Sequence, residues 1–126
     1  MICLEKSKNL KPHEMVDRKH LSSVMGDLIR DGVLREPVII DRETKIILDG
    51  HHRCEALKKL GFSRVPVFPV DYSSPEVEVV SRNGLKVSKE LVIRKGLGGD
   101  PYPPKTTKHI IPKTPKNINI ELEMLK

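Results

Sequence analysis

The chain of 126 residues has no tryptophan, and its few aromatics are two tyrosines and two phenylalanines. Rings cannot form the centre of such a core, so Ile, Val and Leu must fill it. Cysteine is nearly missing as well. Cys3 and Cys54 each stand among apolar neighbours in sequence, which suits reduced, buried thiols of a cytoplasmic protein and not a disulfide framework. No apolar run approaches the ~20 residues of a membrane span. The first residues lack the basic, apolar and small-residue regions of a signal peptide. No internal repeat and no low-complexity tract occurs.

Charge is abundant. Asp, Glu, Lys and Arg make up 32% of the residues, with a net charge of +6. A basic surplus of that size suits a nucleic acid, an acidic membrane or a phosphorylated small molecule, and does not choose among them. The length fits one domain over residues 1–126 and is too short for two ordinary ones.

The pattern predicts a compact α+β domain with a small mixed sheet and about three helices. Residues 1–4 suit a short first strand. Leu21, Val24, Met25, Leu28 and Ile29 recur at the spacing of a half-buried helix, with Asp17 as its cap and Gly32 as its end. Residues 37–40 and 46–48 read as two strands of a hairpin joined by polar residues 41–45. Val65, Val67 and Val70 mark another strand, which Pro66 and Pro69 assign to an edge or an irregular course. Val77 and Val79 alternate in a further strand. Ser88 caps a short helix that Gly96 is expected to end. Past Gly99 the proline-rich chain fits a disordered basic tail by composition. Ile110, Ile111, Ile118, Ile120 and Leu122 instead favour residues 101–126 packing back on the domain.

The densest chemistry lies at Ile46-Ile47-Leu48-Asp49-Gly50-His51-His52-Arg53. An apolar strand stops at an acid, turns on a glycine and opens a helix that carries Cys54, Leu57 and Leu60 at helical spacing, with Gly61 as its stop. The first N–H groups of a helix lack intrahelical partners and attract anions, phosphate above all. Singly, Asp49 reads as a cap and His51, His52 and Arg53 as solvated polar residues. Together they read as a phosphate cradle.

These residues, followed by Ala56-Leu57-Lys58-Lys59-Leu60-Gly61, resemble the signature of the ParB/sulfiredoxin superfamily. Leu10-Lys11-Pro12-His13-Glu14, residues 104–112 from Pro104-Lys105-Thr106-Thr107 to Pro112, and Ile118-Asn119-Ile120 narrow the resemblance to the archaeal free-serine kinases of that superfamily. The resemblance implies a Mg²⁺-dependent transfer of the terminal phosphate of ATP or ADP to free L-serine, an amino-acid biosynthetic step that gives O-phosphoserine. It implies Glu14 as the base facing the acceptor hydroxyl and Asp49 as its helper, through the hydroxyl or Mg²⁺. Gly50, His51, His52 and Arg53 would hold the nucleotide phosphates. Thr106, Thr107, Lys108 and His109 would bind the acceptor or the transferred phosphate.

Without the resemblance, Glu14 reads equally as a first-turn acid, residues 105–108 as solvated loop and His109 as a core histidine. Cys54 could be a catalytic thiol, as in sulfiredoxins, but its place on an inner helix face favours the core. No Cys/His spacing completes a tetrahedral metal set, so metal ligands stay unassigned. The chain also departs from the kinases: they are longer between the Ser81 region and Pro104, and more often have Arg where Lys108 stands. A ParB-like DNA-binding or nucleotide-binding protein and a nuclease are the competing readings. No second helical pair follows the His-His-Arg helix, which weakens the DNA-binding one. The expected partners are thus a nucleotide and a small hydroxyl amino acid; oligomeric state is left open.

Overall fold

The computed structural model describes residues 1–126. In order it contains β1 (Cys3–Lys6), α1 (Arg18–Asp31), β2 (Val33–Leu34), β3 (Val38–Asp41), β4 (Ile47–Asp49), α2 (His51–Lys59), β5 (Arg64–Val70), β6 (Glu78–Ser81), α3 (Lys89–Gly98), β7 (Thr107–Ile110) and β8 (Ile120–Glu121), with 3-10 turns at Ser7–Asn9 and Leu122–Leu125. The main sheet has the order β1-β5-β3-β4; β3 and β5 are parallel and the other pairs antiparallel. Two ribbons, β2-β8 and β6-β7, complete an α+β domain with three helices and a small mixed sheet.

Period-two alternation divides the core between the two faces of the sheet. Val38, Ile40, Ile47, Val65 and Val67 pack with Leu21, Leu28, Cys54 and Leu57 of α1 and α2. Ile39, Ile46, Leu48 and Val70 pack with Val92 of α3 and with Tyr72, Val77 and Tyr102. Leu57 has no exposed surface; truncating such a residue to Ala costs about 2–5 kcal/mol.

Local signals set the helix limits. Asp17 Oδ1 accepts from Lys19 N–H at the start of α1, and left-handed Gly32 closes it, as its sequence suggested. Ile29, however, is 67% exposed: the buried stripe is narrower than its spacing implied. Ser88 caps α3 through Leu91 N–H, but the helix passes Gly96 and stops at Gly99. Gly96 serves packing instead. A Cβ there would come within 2.7 Å of Ile46, so only glycine lets α3 approach the sheet so closely.

Strand β5 is a correction. Pro66 and Pro69 pointed to an edge or an irregular course, yet β5 is one continuous strand between β1 and β3. Val70 C=O accepts from Arg42 N–H beyond β3, so even-numbered residues of β5 turn their backbone groups to β3 and odd-numbered ones to β1. Pro66 precedes the first β3 pair, Val38↔Val67, and Pro69 lies beyond the last β1 pair, Cys3↔Val67. Each missing N–H faces a neighbour that has ended.

The C-terminal segment is ordered. β8 pairs with β2, and Leu122 and Leu125 enter the α1/α2 core. β7 pairs with β6 and brings residues 105–109 beside α2 and residues 13–14.

Candidate active site

Helix α2 begins at a left-handed Gly50, with φ of 100°, and no side chain caps it. Its first helical bond runs from Cys54 N–H to Gly50 C=O at 2.9 Å. The N–H groups of His51, His52 and Arg53 therefore lack intrahelical acceptors and carry the positive end of the helix dipole. Above them any Cβ on residue 50 would meet Arg53 Nη2 at 2.9 Å and Val38 Cγ2 at 3.2 Å. Arg53 Nη2 donates to Pro37 C=O at 2.9 Å and lies 3.8 Å from Asp49 Oδ2, while its Nε is buried without a partner.

The two histidines after Gly50 are tied into the fold. His51 Nε2 accepts from His13 N–H at 3.2 Å, and His52 Nε2 accepts from Asp17 N–H at 2.9 Å. An accepting nitrogen carries no proton, so each neutral ring has its proton on Nδ1. Burial disfavours the charged imidazolium and pushes His51 well below the usual histidine range; it lowers His52 as well, where His20 stacks at 4.1 Å. Neutral rings carry no net charge, so the positive charge of the cleft comes from its lysines and arginines.

Glu14 is 93% buried and held from one side. Its Oε1 accepts from Thr106 N–H at 3.1 Å, Thr107 N–H at 2.8 Å and the Thr107 hydroxyl at 2.9 Å; Oε2 accepts from Lys105 N–H at 3.2 Å. A carboxylate oxygen offers about two lone-pair directions, which three donors crowd on Oε1, whereas Oε2 has a single donor. Oε2 therefore keeps room for one more donor. Lys105 achieves this geometry in the left-handed region, φ 59°, and its ammonium reaches Asp17 at 3.5 Å.

Behind Glu14 lies His13, with no exposed surface. Its Nδ1 pairs with Ile47 C=O at 2.6 Å and its Nε2 with Thr107 Oγ1 at 2.8 Å. The rings of His51 and His109 stand edge-on to it at 4.6 and 5.5 Å. His109 Nε2 pairs with the Tyr72 hydroxyl at 2.8 Å, and its buried Nδ1 faces the Leu48 backbone without closing a well-formed hydrogen bond. Burial pushes His109 down to about 3 and the Tyr72 hydroxyl up.

These groups line one cleft of about 380 Å³, which brings together Glu14, Asp49, Gly50, His51, His52, Arg53, Thr107, Lys108 and His109. Thr106 is the exception among the residues singled out from sequence. It is fully buried, donates its hydroxyl to Pro103 C=O and accepts from Asn83 Nδ2, so it shapes the loop and has no face for a ligand. Thr107 uses its hydroxyl inside the fold as well. Arg82, Lys105 and His20 line the cleft in addition. Lys105 stood inside the Pro-Lys-Thr-Thr signal, but nothing local marked Arg82 or His20. Cys54 is buried, and burial raises its thiol to about 11, which makes it a core residue and not a nucleophile.

No cluster of three or more His, Cys, Asp or Glu side chains offers a metal site. The Asp49 carboxylate, 64% exposed at the cleft and 3.8 Å from the Arg53 guanidinium, is the solvent-facing acid there. One carboxylate with substrate phosphates and water is a donor set that suits Mg²⁺, which keeps several waters and binds few protein groups.

No protein-family profile matches the chain. It is 39% identical over 72 residues to a ParB-like protein of Sulfolobus acidocaldarius, covering 57% of this chain and 36% of that protein. It is 34% identical over 74 residues to an ADP-dependent L-serine kinase of Thermococcus kodakarensis, covering 56% of this chain and 31% of that enzyme. The matches thus span about a third of each relative's own length. Among solved structures, a free serine kinase in complex with AMP superposes with a TM-score of 0.89 at 20% identity, over 99% of this chain and 93% of that one. The resemblance stated from the sequence is borne out: the chain has the fold of the free serine kinases and is similar in sequence to an L-serine kinase and a ParB-like protein.

Proposed function

We propose that this protein is a small-molecule kinase that transfers the terminal phosphate of ATP or ADP to the hydroxyl of free L-serine, giving O-phospho-L-serine. The observation that carries this reading is one cleft with an uncapped helix N-terminus on one wall and a fixed glutamate on the other. Phosphoryl transfer needs donor phosphates held in line and charge neutralised, with an acceptor hydroxyl aligned against them. The free N–H groups of residues 51–53 bind phosphate oxygens, and Arg53, Arg82, Lys105 and Lys108 supply positive charge. The vacant position on Glu14 Oε2 receives the serine hydroxyl. As the serine oxygen–phosphorus bond forms and the bond to the nucleotide oxygen breaks, the hydroxyl proton passes to Glu14. Asp49 would hold Mg²⁺, which neutralises charge on the phosphate oxygens when bound. Lys108 would pair with the acceptor's carboxylate, and His109 would form the wall beside it.

The second reading, a ParB-like protein that binds DNA or nucleotides, is favoured by the 39% identity to a ParB-like protein and by the +6 charge. One experiment separates them. The protein is incubated with ATP or ADP, Mg²⁺ and a panel of small hydroxyl compounds, and phosphorylated products are followed by ³¹P NMR. O-phosphoserine as the dominant product is expected. No transfer to any acceptor, together with salt-dependent duplex DNA binding, overturns the kinase reading.

A further inference from the structure

The contacts behind Glu14 contain a proton conflict. Ile47 C=O can only accept, so His13 Nδ1 carries a proton and donates it at 2.6 Å. Nε2 of the neutral ring is then an acceptor, 2.8 Å from Thr107 Oγ1. Thr107 Oγ1 has one proton and a second acceptor, Glu14 Oε1, at 2.9 Å. Two short contacts share a single proton. Either the hydroxyl donates to Glu14 and Nε2 faces a lone pair, or it donates to His13 and Glu14 keeps only backbone donors on Oε1. A proton on Nε2 would satisfy both contacts at once.

We propose that His13 is a positioning residue that acts on Glu14 through the Thr107 hydroxyl, its Nε2 competing with the carboxylate for the one hydroxyl proton. The inference rests on the kinase reading, in which Glu14 faces the acceptor hydroxyl. When the ring takes the proton, Glu14 has one donor fewer and draws harder on the acceptor. When the ring is itself protonated, the hydroxyl turns to Glu14 and weakens it as a base. The groups facing His13 favour the first state. Its burial opposes a charge and outweighs the Ile47 carbonyl and the Glu14 carboxylate, which favour the proton, while His51 from α2, His109 from β7 and Tyr102 from the loop before β7 place rings against it. Its contact with His51 reaches the nucleotide side of the cleft, whereas the hydroxyl of Thr107 leads from the ring to Glu14. The relay through Thr107 therefore acts on the acceptor step.

A cycle of variants tests the route. His13→Asn keeps a donor for Ile47 C=O and removes Nε2; Thr107→Val removes the hydroxyl but keeps the N–H bonded to Glu14. The rate of phosphate transfer to serine is measured against pH for each single variant, the double variant and Thr107→Ser. His13→Asn should move the acid-side midpoint of the profile down by about half a unit or more, because the hydroxyl is released to Glu14. The same change in the Thr107→Val background should move it by less than about 0.2 unit, and the Thr107→Ser background should retain the shift. An equal shift with and without the hydroxyl overturns the relay, since a packing defect does not depend on it. A second readout needs neither turnover nor a substitution at His13. In ¹⁵N spectra of the unaltered protein, His13 should carry its proton on Nδ1, with Nε2 hydrogen-bonded, and Thr107→Val should abolish that bond. A neutral ring protonated on Nε2 overturns the proposal. Absence of any phosphate transfer by the unaltered protein overturns the kinase reading instead, and the spectra still decide whether Nε2 competes for the proton.

Discussion

Replacing Gly50 with alanine separates backbone strain from obstruction of the phosphate approach. Gly50 sits at φ 100°, ψ 25°, where an L side chain is strained by roughly 1–3 kcal/mol. Its new Cβ would meet Arg53 Nη2 at 2.9 Å, Arg53 Cζ at 3.2 Å and Val38 Cγ2 at 3.2 Å. The guanidinium cannot simply swing aside, because Pro37 C=O holds it at 2.9 Å. At about 4 °C per kcal/mol for a chain of this size, Tm should fall by roughly 4–12 °C. Gly61→Ala is the control: its φ is +92°, yet nothing lies within 4 Å of the added Cβ. Both variants should lose stability, and only Gly50→Ala should lose ADP and ATP affinity, by about tenfold or more, in calorimetric titrations well below both melting points. If Gly50→Ala binds nucleotide as tightly as Gly61→Ala, the start of α2 is a structural turn and holds no phosphate.

Glu14→Gln keeps the side chain's shape but cannot accept the acceptor's proton, so serine phosphorylation should fall roughly 10²-fold or more with nucleotide affinity within about threefold; turnover equal to the parent's would remove Glu14 from the chemistry. His109→Ala should raise the KM for serine more than it changes nucleotide affinity, and the reverse pattern in steady-state kinetics would move His109 to the phosphate side. Exposed Cys3 should react with iodoacetamide at pH 8 while Cys54, buried and raised to about 11, resists until the chain is unfolded, which mass spectrometry counts directly. The buried His13 and His51 and the half-buried His109 have lowered pKa values, so the unfolded chain binds more protons; their stabilisation is complete above about 6.5 and is lost as pH falls towards 3, and Tm should decline over that window in thermal scans. A Tm constant from pH 7 to 4.5 would contradict the burial of these rings.

What the sequence disclosed was local. Asp17, Gly32 and Ser88 act on groups within four residues, and the hairpin over residues 38–49 closes through its own turn, where Asp41 accepts from Thr44. The turn proposed as a phosphate cradle was legible for the same reason: residues 50–53 form it almost alone. Pro66 and Pro69 misled because a proline's cost depends on which neighbour its nitrogen faces, and that is set by where β1 and β3 end. Thr106 misled because its hydroxyl partners lie in the loop itself and at Asn83. His13 escaped notice because nothing in Pro12-His13-Glu14 announces that its ring meets a hydroxyl from β7.

The donors on Glu14 come from 91 to 93 residues further along the chain, and the hydroxyl beside His13 from 94. No short stretch of this polypeptide holds the glutamate in position, so the carboxylate acquires its orientation only when the last third of the chain returns to the first fifteen residues. The entropy of closing so long a loop grows slowly with length, but it must be met before any of these bonds contributes, which makes the site a late product of folding. Until that closure, residues 50–53 can already form the start of α2, since strand, turn and helix are contiguous. If the proposed function holds, a chain stalled at this stage would have its phosphate-binding turn and no aligned acid: nucleotide would bind, and its terminal phosphate would have no acceptor held against it.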